Sequence, residues 1–571
     1  MARVHPENSL SDLPQVAPSV PADLRNPPSL DLECSEVPAP ELLAEGWAPA
    51  WSDKDAVVIA VSVTPDRQLE ERIRKWIPER RLSFLPVGHV DLQDYVLRNH
   101  RAELADYMAN NFPRKYPEFT AKNGFAKWQI ALGAIALFVT IVLFGVAPTI
   151  LMLILSALFL LTTATKVVIA TTSLLPAAWF TSGQEPPVQA TATDDALPFY
   201  TVLVPVYEET AVMGQLVRCL AEMKYPPDRL EILFLIEEHD SATKEAALAA
   251  GLAPHMRVID LPPGPPQTKP RSCNLGLLLA RGELVVIFDA EDRPDPDQLL
   301  KSAAAFAASP DGKLACVQAK LFFYNANRNL LTRQFALEYS LRYGMILPGL
   351  ARLGLPIPLG GTSNHFNTSI LRTAGGWDAW NVTEDADLGM RFRALGYRVD
   401  MIDSVTWEEA TSTPQAWVRQ RTRWLKGFMV TVLVHTQNPW QSLRRFRPSG
   451  MVTLLGIVGG TPVTFLGQPV AFALLVVNLL GIHWSPFDHG VHNTLASVLL
   501  LTATWLLMGV TVVAAIQRKM SFSHLACLLP GYWLLYWVAA WRALFQLVRS
   551  PFMWEKTPHG RDAGSQPGDT P

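Results

Sequence analysis

The chain has 571 residues, 49% of them hydrophobic, and a positive mean hydropathy; it is too long for one ordinary domain and too apolar for a large soluble protein. A net charge of −3 excludes a strongly basic nucleic-acid binder, although Lys and Arg cluster at 71–81, 419–426 and 444–447. The five cysteines, Cys34, Cys219, Cys273, Cys316 and Cys527, show neither CxxC nor zinc-site spacing and read as reduced structural thiols.

In chain order, residues 1–40 are rich in Pro and acidic residues, lack an apolar core and read as a disordered N-terminus, not a secretory signal. Residues 41–127 read as a small α/β accessory unit with a strand at 56–63 and amphipathic helices at 67–77 and 92–111. It holds no catalytic constellation, which leaves a regulatory, docking or purely structural role. Residues 128–175 suit two membrane helices broken at 145–148, where Pro148 cannot continue the preceding hydrogen-bond ladder.

Residues 197–430 are polar and of the size of one α/β domain. Strand patterns at 200–206, 231–236, 257–261, 284–288 and 314–321, the early ones alternating with helical patterns, predict a mainly parallel, nucleotide-binding-type sheet with its pocket at the carboxyl ends of the strands. Residues 450–550 then carry C-terminal transmembrane and interfacial helices. The run 451–482, with Gly459-Gly-Thr-Pro462, is either one broken helix or an interfacial piece followed by a span, and 494–516 is a span. The run 525–548, interrupted by Pro530-Gly531, suits a re-entrant or interfacial helix as well as a crossing. The 483–493 loop lacks Lys and Arg whereas Arg518-Lys519 follow the next span, so 483–493 is expected outside, with the catalytic stretch and the 551–571 tail in the cytosol.

The polar motifs fall at the expected strand ends. Pro205-Val-Tyr-Glu-Glu209 follows the first strand, Glu237-Glu-His-Asp240 the second and Asp289-Ala-Glu-Asp292 the fourth. Asp289, Glu291 and Asp292 are candidate ligands for Mg²⁺ or Mn²⁺, the competing reading being a solvated acidic turn. Thr383-Glu-Asp385 opens a helix to about residue 395 with Thr383 as its cap. Asp385 is the candidate general base, against a bland role complementing the helix dipole. The small polar run Gly360-Gly-Thr-Ser-Asn-His365 lets backbone approach a ligand. Gln420, Arg423 and Trp424 share one helical face, offering an aromatic platform for a sugar ring and a guanidinium for a diphosphate. The alternative packs Trp417 and Trp424 at the membrane interface, and Arg421 is a candidate lipid contact. Glu208 and Glu237 or Glu238 are candidate acceptors for a nucleoside; Lys269 and Arg271 are candidate phosphate contacts, and Asp289 counts with the donor-binding set as well.

With Lys269-Pro-Arg-Ser-Cys-Asn274 between the second and third of these motifs, the ordered series resembles the membrane-embedded family 2 glycosyltransferases, similar to bacterial cellulose and hyaluronan synthases. The likeness covers residues 197–424. The accessory unit weakly resembles the N-terminal domain of type II secretion ATPases. Trp554-Glu-Lys-Thr-Pro-His-Gly560 resembles a tail of such polysaccharide synthases, with Lys556, Thr557 and His559 in a loop over the nucleotide. The resemblance implies a GT-A type nucleotide-sugar domain inserted between transmembrane helices, in the bacterial inner membrane. It implies inverting transfer from a UDP-linked hexose to a growing β-linked polysaccharide. The expected partners are the nucleotide-sugar, a polysaccharide or glycolipid acceptor, membrane lipids and accessory export subunits, and no nucleic acid. Two departures touch individual ligands: Asp-x-Glu-Asp replaces Asp-x-Asp, and Glu-Glu-His-Asp stands where relatives often have paired aspartates. The rival enzyme class is a lipid-linked monosaccharide transferase, against which the Gln-Arg-Thr-Arg-Trp helix argues. A solute transporter is disfavoured because the clear membrane segments hold only Lys166 as an ionisable residue.

Overall fold

The computed structural model describes residues 37–52, 56–78, 80–176, 197–482 and 490–555. The expectations for 1–36, for most of the 483–493 loop and for Lys556, Thr557 and His559 lie outside these. The chain divides into two compact units, one of residues 1–108 with 262–264, the other comprising the remainder.

In the first unit α1 (Ala39–Glu45) leads into β1 (Trp47–Ser52), β2 (Ala56–Val61), α2 (Arg67–Trp76), β3 (Arg81–Pro86), α3 (His89–Asn99) and the start of α4 (Arg101–Lys115). The sheet order is β1-β2-β3, antiparallel then parallel. The Asp66 carboxylate caps α2 by accepting the Leu69 N–H at 2.6 Å, and Leu69 and Ile73 bury its apolar stripe. Two strands escape the sequence pattern here because β1, Trp-Ala-Pro-Ala-Trp-Ser, carries a proline, and β3, Arg-Leu-Ser-Phe-Leu-Pro, opens on an arginine and closes on a proline. The single helix expected at 92–111 is two, interrupted at His100.

The second unit begins at Ala109. Phe112 lies under the Arg391 guanidinium, 3.9 Å from it, and the Thr120 hydroxyl and Ala121 N–H both donate to the buried Asp378 carboxylate. Then come α5 (Lys127–Val146) and α6 (Pro148–Thr172), with Pro148 at the first turn of α6, where its missing N–H costs nothing.

The α/β region follows as β4 (Tyr200–Val206), α7 (Met213–Ala221), β5 (Leu230–Glu237), α8 (Ser241–Ala249), β6 (Met256–Leu261), α9 (Lys269–Leu279), β7 (Leu284–Ile287), β8 (Arg293–Pro294), α10 (Gln298–Ala307), β9 (Leu314–Phe323), α11 (Leu330–Leu341), α12 (Leu347–Arg352), β10 (Asn364–Asn367), α13 (Thr368–Thr373), α14 (Glu384–Ala394) and β11 (Arg398–Glu408). Eight strands make one sheet, ordered β6-β5-β4-β7-β10-β9-β11-β8. The β6 to β7 half is parallel; β10 runs antiparallel to both β7 and β9, so the sheet is mixed rather than mainly parallel. Alternate residues Val202, Val204, Phe234, Ile236 and Val286 fill one face of the core. On the other face α9 lies close against the sheet: a side chain at Gly276 would overlap Leu203 and Leu235.

The chain continues through α15 (Pro414–His435), α16 (Pro439–Met451), α17 (Gly460–Leu479), α18 (Gly490–Gln517) and α19 (Leu529–Arg549). A π-helical stretch, Val452–Gly459, joins α16 to α17, so Gly459-Gly-Thr-Pro462 does not break the helix; the kink falls at Arg447, before Pro448. Pro530 stands in the first turn of α19 instead of interrupting it. Among the described residues four helical segments, Lys127–Val146, Pro148–Thr172, Pro439–Leu479 and Gly490–Gln517, are long and apolar enough to cross a membrane. Hydroxyl contacts tie them together, Thr162 with Thr464 at 3.0 Å and Thr149 with Asn493 at 3.0 Å.

Candidate active site

A cavity of about 360 Å³, within the range of small-molecule sites, opens at the carboxyl ends of β4, β5 and β7 and is closed by α14 and α15. After β4 the backbone turns sharply at Glu208, whose φ is 52° and whose N–H donates to Asp240 at 2.5 Å. This turn leaves Glu208 exposed and gives Glu209 to the cavity wall. At the end of β5, Glu237 faces the cavity and takes a 3.0 Å ion pair from the buried Arg271, while Glu238 is exposed and off the wall. Burial raises the Glu237 carboxyl above its usual range, and Arg271 opposes that.

The Asp289-Ala-Glu-Asp292 turn separates its three carboxylates. Asp292 folds back into the protein, 1% exposed, and accepts the Asp289 N–H at 2.7 Å and the Thr362 hydroxyl. It therefore braces the turn and does not line the cavity, whereas Asp289 and Glu291 do. Burial and the Asp289 and Glu209 charges push Glu291 up to about 8; burial, then Asp289 and Glu291, raises Asp292. Lys269, at the start of α9, reaches Asp289 at 2.5 Å and donates to the Gly361 carbonyl. Burial works against its charge, but Asp289, Asp385 and Glu384 hold its pKa above the ordinary lysine value. Gln318 fixes the facing loop by accepting the Gly360 N–H at 2.7 Å and donating to the Thr362 carbonyl at 2.9 Å.

Glu384 and Asp385 enter the cavity from the first turn of α14. Thr383 precedes them without a capping bond, contrary to the expected cap, because α15 presses against it: a Cβ at Gly427 would overlap the Thr383 side chain. The helix is instead pinned from within by Asp387, which accepts from Arg391 at 3.1 Å and pairs with His435 at 2.9 Å. Burial, with Glu384 beside it, raises Asp385 well above the carboxylate range, and burial lifts Glu384 to about 7 against Lys269 and Arg423.

Gln420, Arg423 and Trp424 line the opposite wall from one face of α15. The Arg423 guanidinium lies 4.4 Å from the Trp554 ring, and Trp424 stacks on Tyr339. Arg421 is not a lipid contact: it is 2% exposed, pairs with Glu338 at 3.0 Å and lies 4.2 Å from the rings of Phe335 and Trp424. Trp417 is likewise buried, its indole N–H donating to Tyr532 at 2.9 Å.

The cavity also contains Trp554, from the tail motif, and Gln267, Tyr343 and Glu408, which the motifs do not flag. Glu408 ends β11, and the apolar alternation of Val399, Met401, Val405 and Trp407 was the available signal for that strand. Burial, then Asp292 and Glu291, raises its carboxyl well above the usual range.

Residues 201–364 match the family model described as glycosyl transferase family 2, and residues 284–545 match that described as glycosyl transferase family group 2. Together the two models cover residues 201–545, and over that stretch the chain is similar to the family 2 glycosyltransferases. It has the GT-A type α/β fold, and the matched residues span the cavity from β4 through α15. The glycosyltransferase domain is similar to the probable glycosyltransferase YdaM of Bacillus subtilis, 29% identical over 240 residues, 42% of this chain and 57% of that one. It is similar to the beta-monoglucosyldiacylglycerol synthase of Trichormus variabilis, 28% identical over 236 residues, 41% of this chain and 49% of that one. It is also similar to the probable glucomannan 4-beta-mannosyltransferase 1 of Arabidopsis thaliana, 24% identical over 241 residues, 41% of this chain and 43% of that one. The aligned part thus spans about half the length of these curated relatives. Among solved structures, a mannosyltransferase from Pyrobaculum calidifontis in complex with GDP-Man and Mn²⁺ is similar at a TM-score of 0.48 and 18% identity, over 70% of this chain and 99% of that one.

Proposed function

We propose that this chain transfers a sugar, with inversion, from a nucleoside-diphosphate sugar, a UDP-linked hexose by the sequence likeness, to an acceptor at the membrane. The observation that carries the reading is one cavity in which Asp289 and Glu291 line one wall, Glu384 and Asp385 another, and Arg423 and Trp424 a third. Glu237, with Arg271 behind it, and the β4 turn suit the nucleoside; Lys269 and Arg423 suit the diphosphate. Asp385, whose raised pKa favours taking a proton, accepts one from the acceptor hydroxyl as that oxygen attacks the anomeric carbon and the diphosphate leaves from the opposite face. Trp424 offers a stacking surface to the acceptor ring, and Gln420 a hydrogen bond beside it.

The residues fit Mg²⁺ or Mn²⁺ in a limited way. Among the described residues no three His, Cys, Asp or Glu side chains form a ready ligand cluster. Two crowded carboxylates, Asp289 and Glu291, beside room for a diphosphate make the donor set such cations use with nucleotide phosphates. They would hold the ion with Asp292 bracing their turn, and bound there it would offset charge on the departing diphosphate. Assembly of a β-linked polysaccharide in the bacterial inner membrane, with the domain in the cytosol and export subunits as partners, is the fuller form of the proposal. The second reading, transfer of one sugar to a lipid-linked acceptor, is favoured by a cationic cavity next to the site.

The test is release of nucleoside diphosphate across a panel of activated sugars by detergent-purified protein with Mn²⁺, with radiolabelled product sized on a gel. One preferred donor and a product longer than a single addition are expected. Release from none of the donors refutes the proposal, and a product limited to one sugar selects the second reading.

A further inference from the structure

Beside the catalytic cavity lies a second one of about 140 Å³. The two share Arg342, Trp424 and Phe428 in their walls, and the second extends among α6, α17, α18 and α19. Its lining is mainly apolar and aromatic, but it includes four charged side chains, Lys166, Arg342, Arg421 and Glu338.

The charges do not balance. The Glu338 carboxylate accepts from Arg421 at 3.0 Å, from the Tyr532 hydroxyl at 3.0 Å and from the Tyr536 hydroxyl at 2.6 Å, so its oxygens are committed. Among the described residues Lys166 has no salt bridge or hydrogen bond. Arg342 has a marginal contact with the Pro358 carbonyl at 3.4 Å, a hydrogen bond with the Tyr343 hydroxyl and two aromatic rings at 5.7 Å, and its Nε is buried without a partner. Lys166 stands on α6, one of the segments apolar enough to span a membrane, where an ionisable side chain is expensive and is retained for a polar task. A neutral sugar chain could accept hydrogen bonds from these two cations but would leave their charge uncompensated, whereas a phosphate does both.

We infer that this cavity takes the phosphate headgroup of a lipid, with Lys166 and Arg342 as its counter-charges and Trp424 as the wall between it and the transfer site. The space suits a phosphate and a few adjoining atoms, with the hydrocarbon tail leaving between the apolar helices. The inference rests on the glycosyltransferase reading and specifies its acceptor side, a phosphate-bearing lipid held where it reaches the catalytic cavity. The same headgroup chemistry is offered by a polyprenyl phosphate and by a bilayer phospholipid.

The experiment reconstitutes the full chain in phosphatidylcholine nanodiscs with a trace of a diazirine-tagged polyprenyl phosphate and maps the crosslinks. Labelling is expected on the cavity segments of α6, α17 and α19, weakened about fivefold in Lys166→Met and restored in Lys166→Arg, the factor set by one lysine near an anionic headgroup. Stronger competition by unlabelled polyprenyl phosphate than by phosphatidylglycerol supports an acceptor lipid; equal competition supports a bilayer phospholipid in the same headgroup site. Labelling that is indifferent to Lys166→Met, or displaced equally by neutral polyprenol, overturns the site. Nucleoside-diphosphate release by the wild type is read on the same sample. Release without charge-dependent labelling overturns the headgroup site alone, whereas absence of release from every donor overturns the proposed function.

Discussion

Replacing Lys269 with methionine removes the ammonium that sits 2.5 Å from Asp289 and donates to Gly361. The two side chains are 14% and 29% exposed, so the pair is sheltered but not dry. Exposed pairs contribute ~0–1 kcal/mol and breaking a fully buried one costs ~3–5 kcal/mol; this pair falls between, at about 2 kcal/mol. For a domain of this size that corresponds to an apparent Tm lower by about 5 °C. The deficit depends on pH with a definite sign. Burial raises Asp385 and lifts Glu291 to about 8, so ionising these carboxylates opposes folding increasingly from the ordinary carboxylate range up to about pH 8. Without Lys269 that opposition grows, and the Lys269→Met deficit is larger at about pH 8 than at about pH 5. Mn²⁺ restores positive charge beside Asp289 and raises the Tm of the variant more than that of the wild type. Scanning fluorimetry in detergent across pH, with and without Mn²⁺, reads both effects. A deficit that is flat with pH, or larger in acid, refutes the electrostatic role and leaves Lys269 as a packing and hydrogen-bonding residue.

Trp424→Ala is expected to shorten or abolish polymer while sparing nucleotide-sugar affinity; product of normal length would return its helix to a packing role and favour single-sugar transfer to a lipid. Arg421→Met strands Glu338 against Tyr532 and Tyr536 and costs about 3–5 kcal/mol, much of it recovered in the Arg421→Met, Glu338→Gln double variant, as read by thermal unfolding. A loss under about 1 kcal/mol would place Arg421 in an exposed role after all. The rate of transfer at saturating donor should fall on the acid side at a pH well above the ordinary carboxylate range, because burial, with Glu384 beside it, raises Asp385 and the base must be unprotonated. An acid limb near the ordinary carboxylate pKa of about 4 contradicts that environment.

The parallel half of the sheet was legible because β4, β5 and β7 are buried apolar runs bounded by polar turns and β6 is a shorter apolar run at the edge, and the observed strands fall within a residue or two of the expected ones. In the other half, where β10 is antiparallel to its neighbours and β11 is parallel to β9, only β9 was legible. β10 is Asn-His-Phe-Asn, four residues with three polar side chains, of which His365 finds tertiary partners in Tyr200 and Gln298, and β11 carries three acidic residues among its apolar ones. With β11 went Glu408. Spacing on a helix was a good guide to the shared face of Gln420, Arg423 and Trp424, whereas spacing in a turn was not. Asp292 follows Glu291 directly, yet the backbone sends it into the core toward Thr362. Likewise Glu208 and Glu238 sit beside Glu209 and Glu237, and it is the latter two that face the cavity. Arg421 was misjudged because nothing local announces its partner, Glu338, which is 83 residues away in the chain.

The central claim, that Asp385 is the base of a sugar transfer in this cavity, is tested most directly by single-turnover kinetics of Asp385→Asn with donor affinity and Tm measured on the same sample. The account predicts transfer slower by about a hundredfold or more, with donor binding and fold retained. A near-normal rate in a folded Asp385→Asn protein would contradict it and leave the acidic turn of α14 with only the role of complementing its helix dipole.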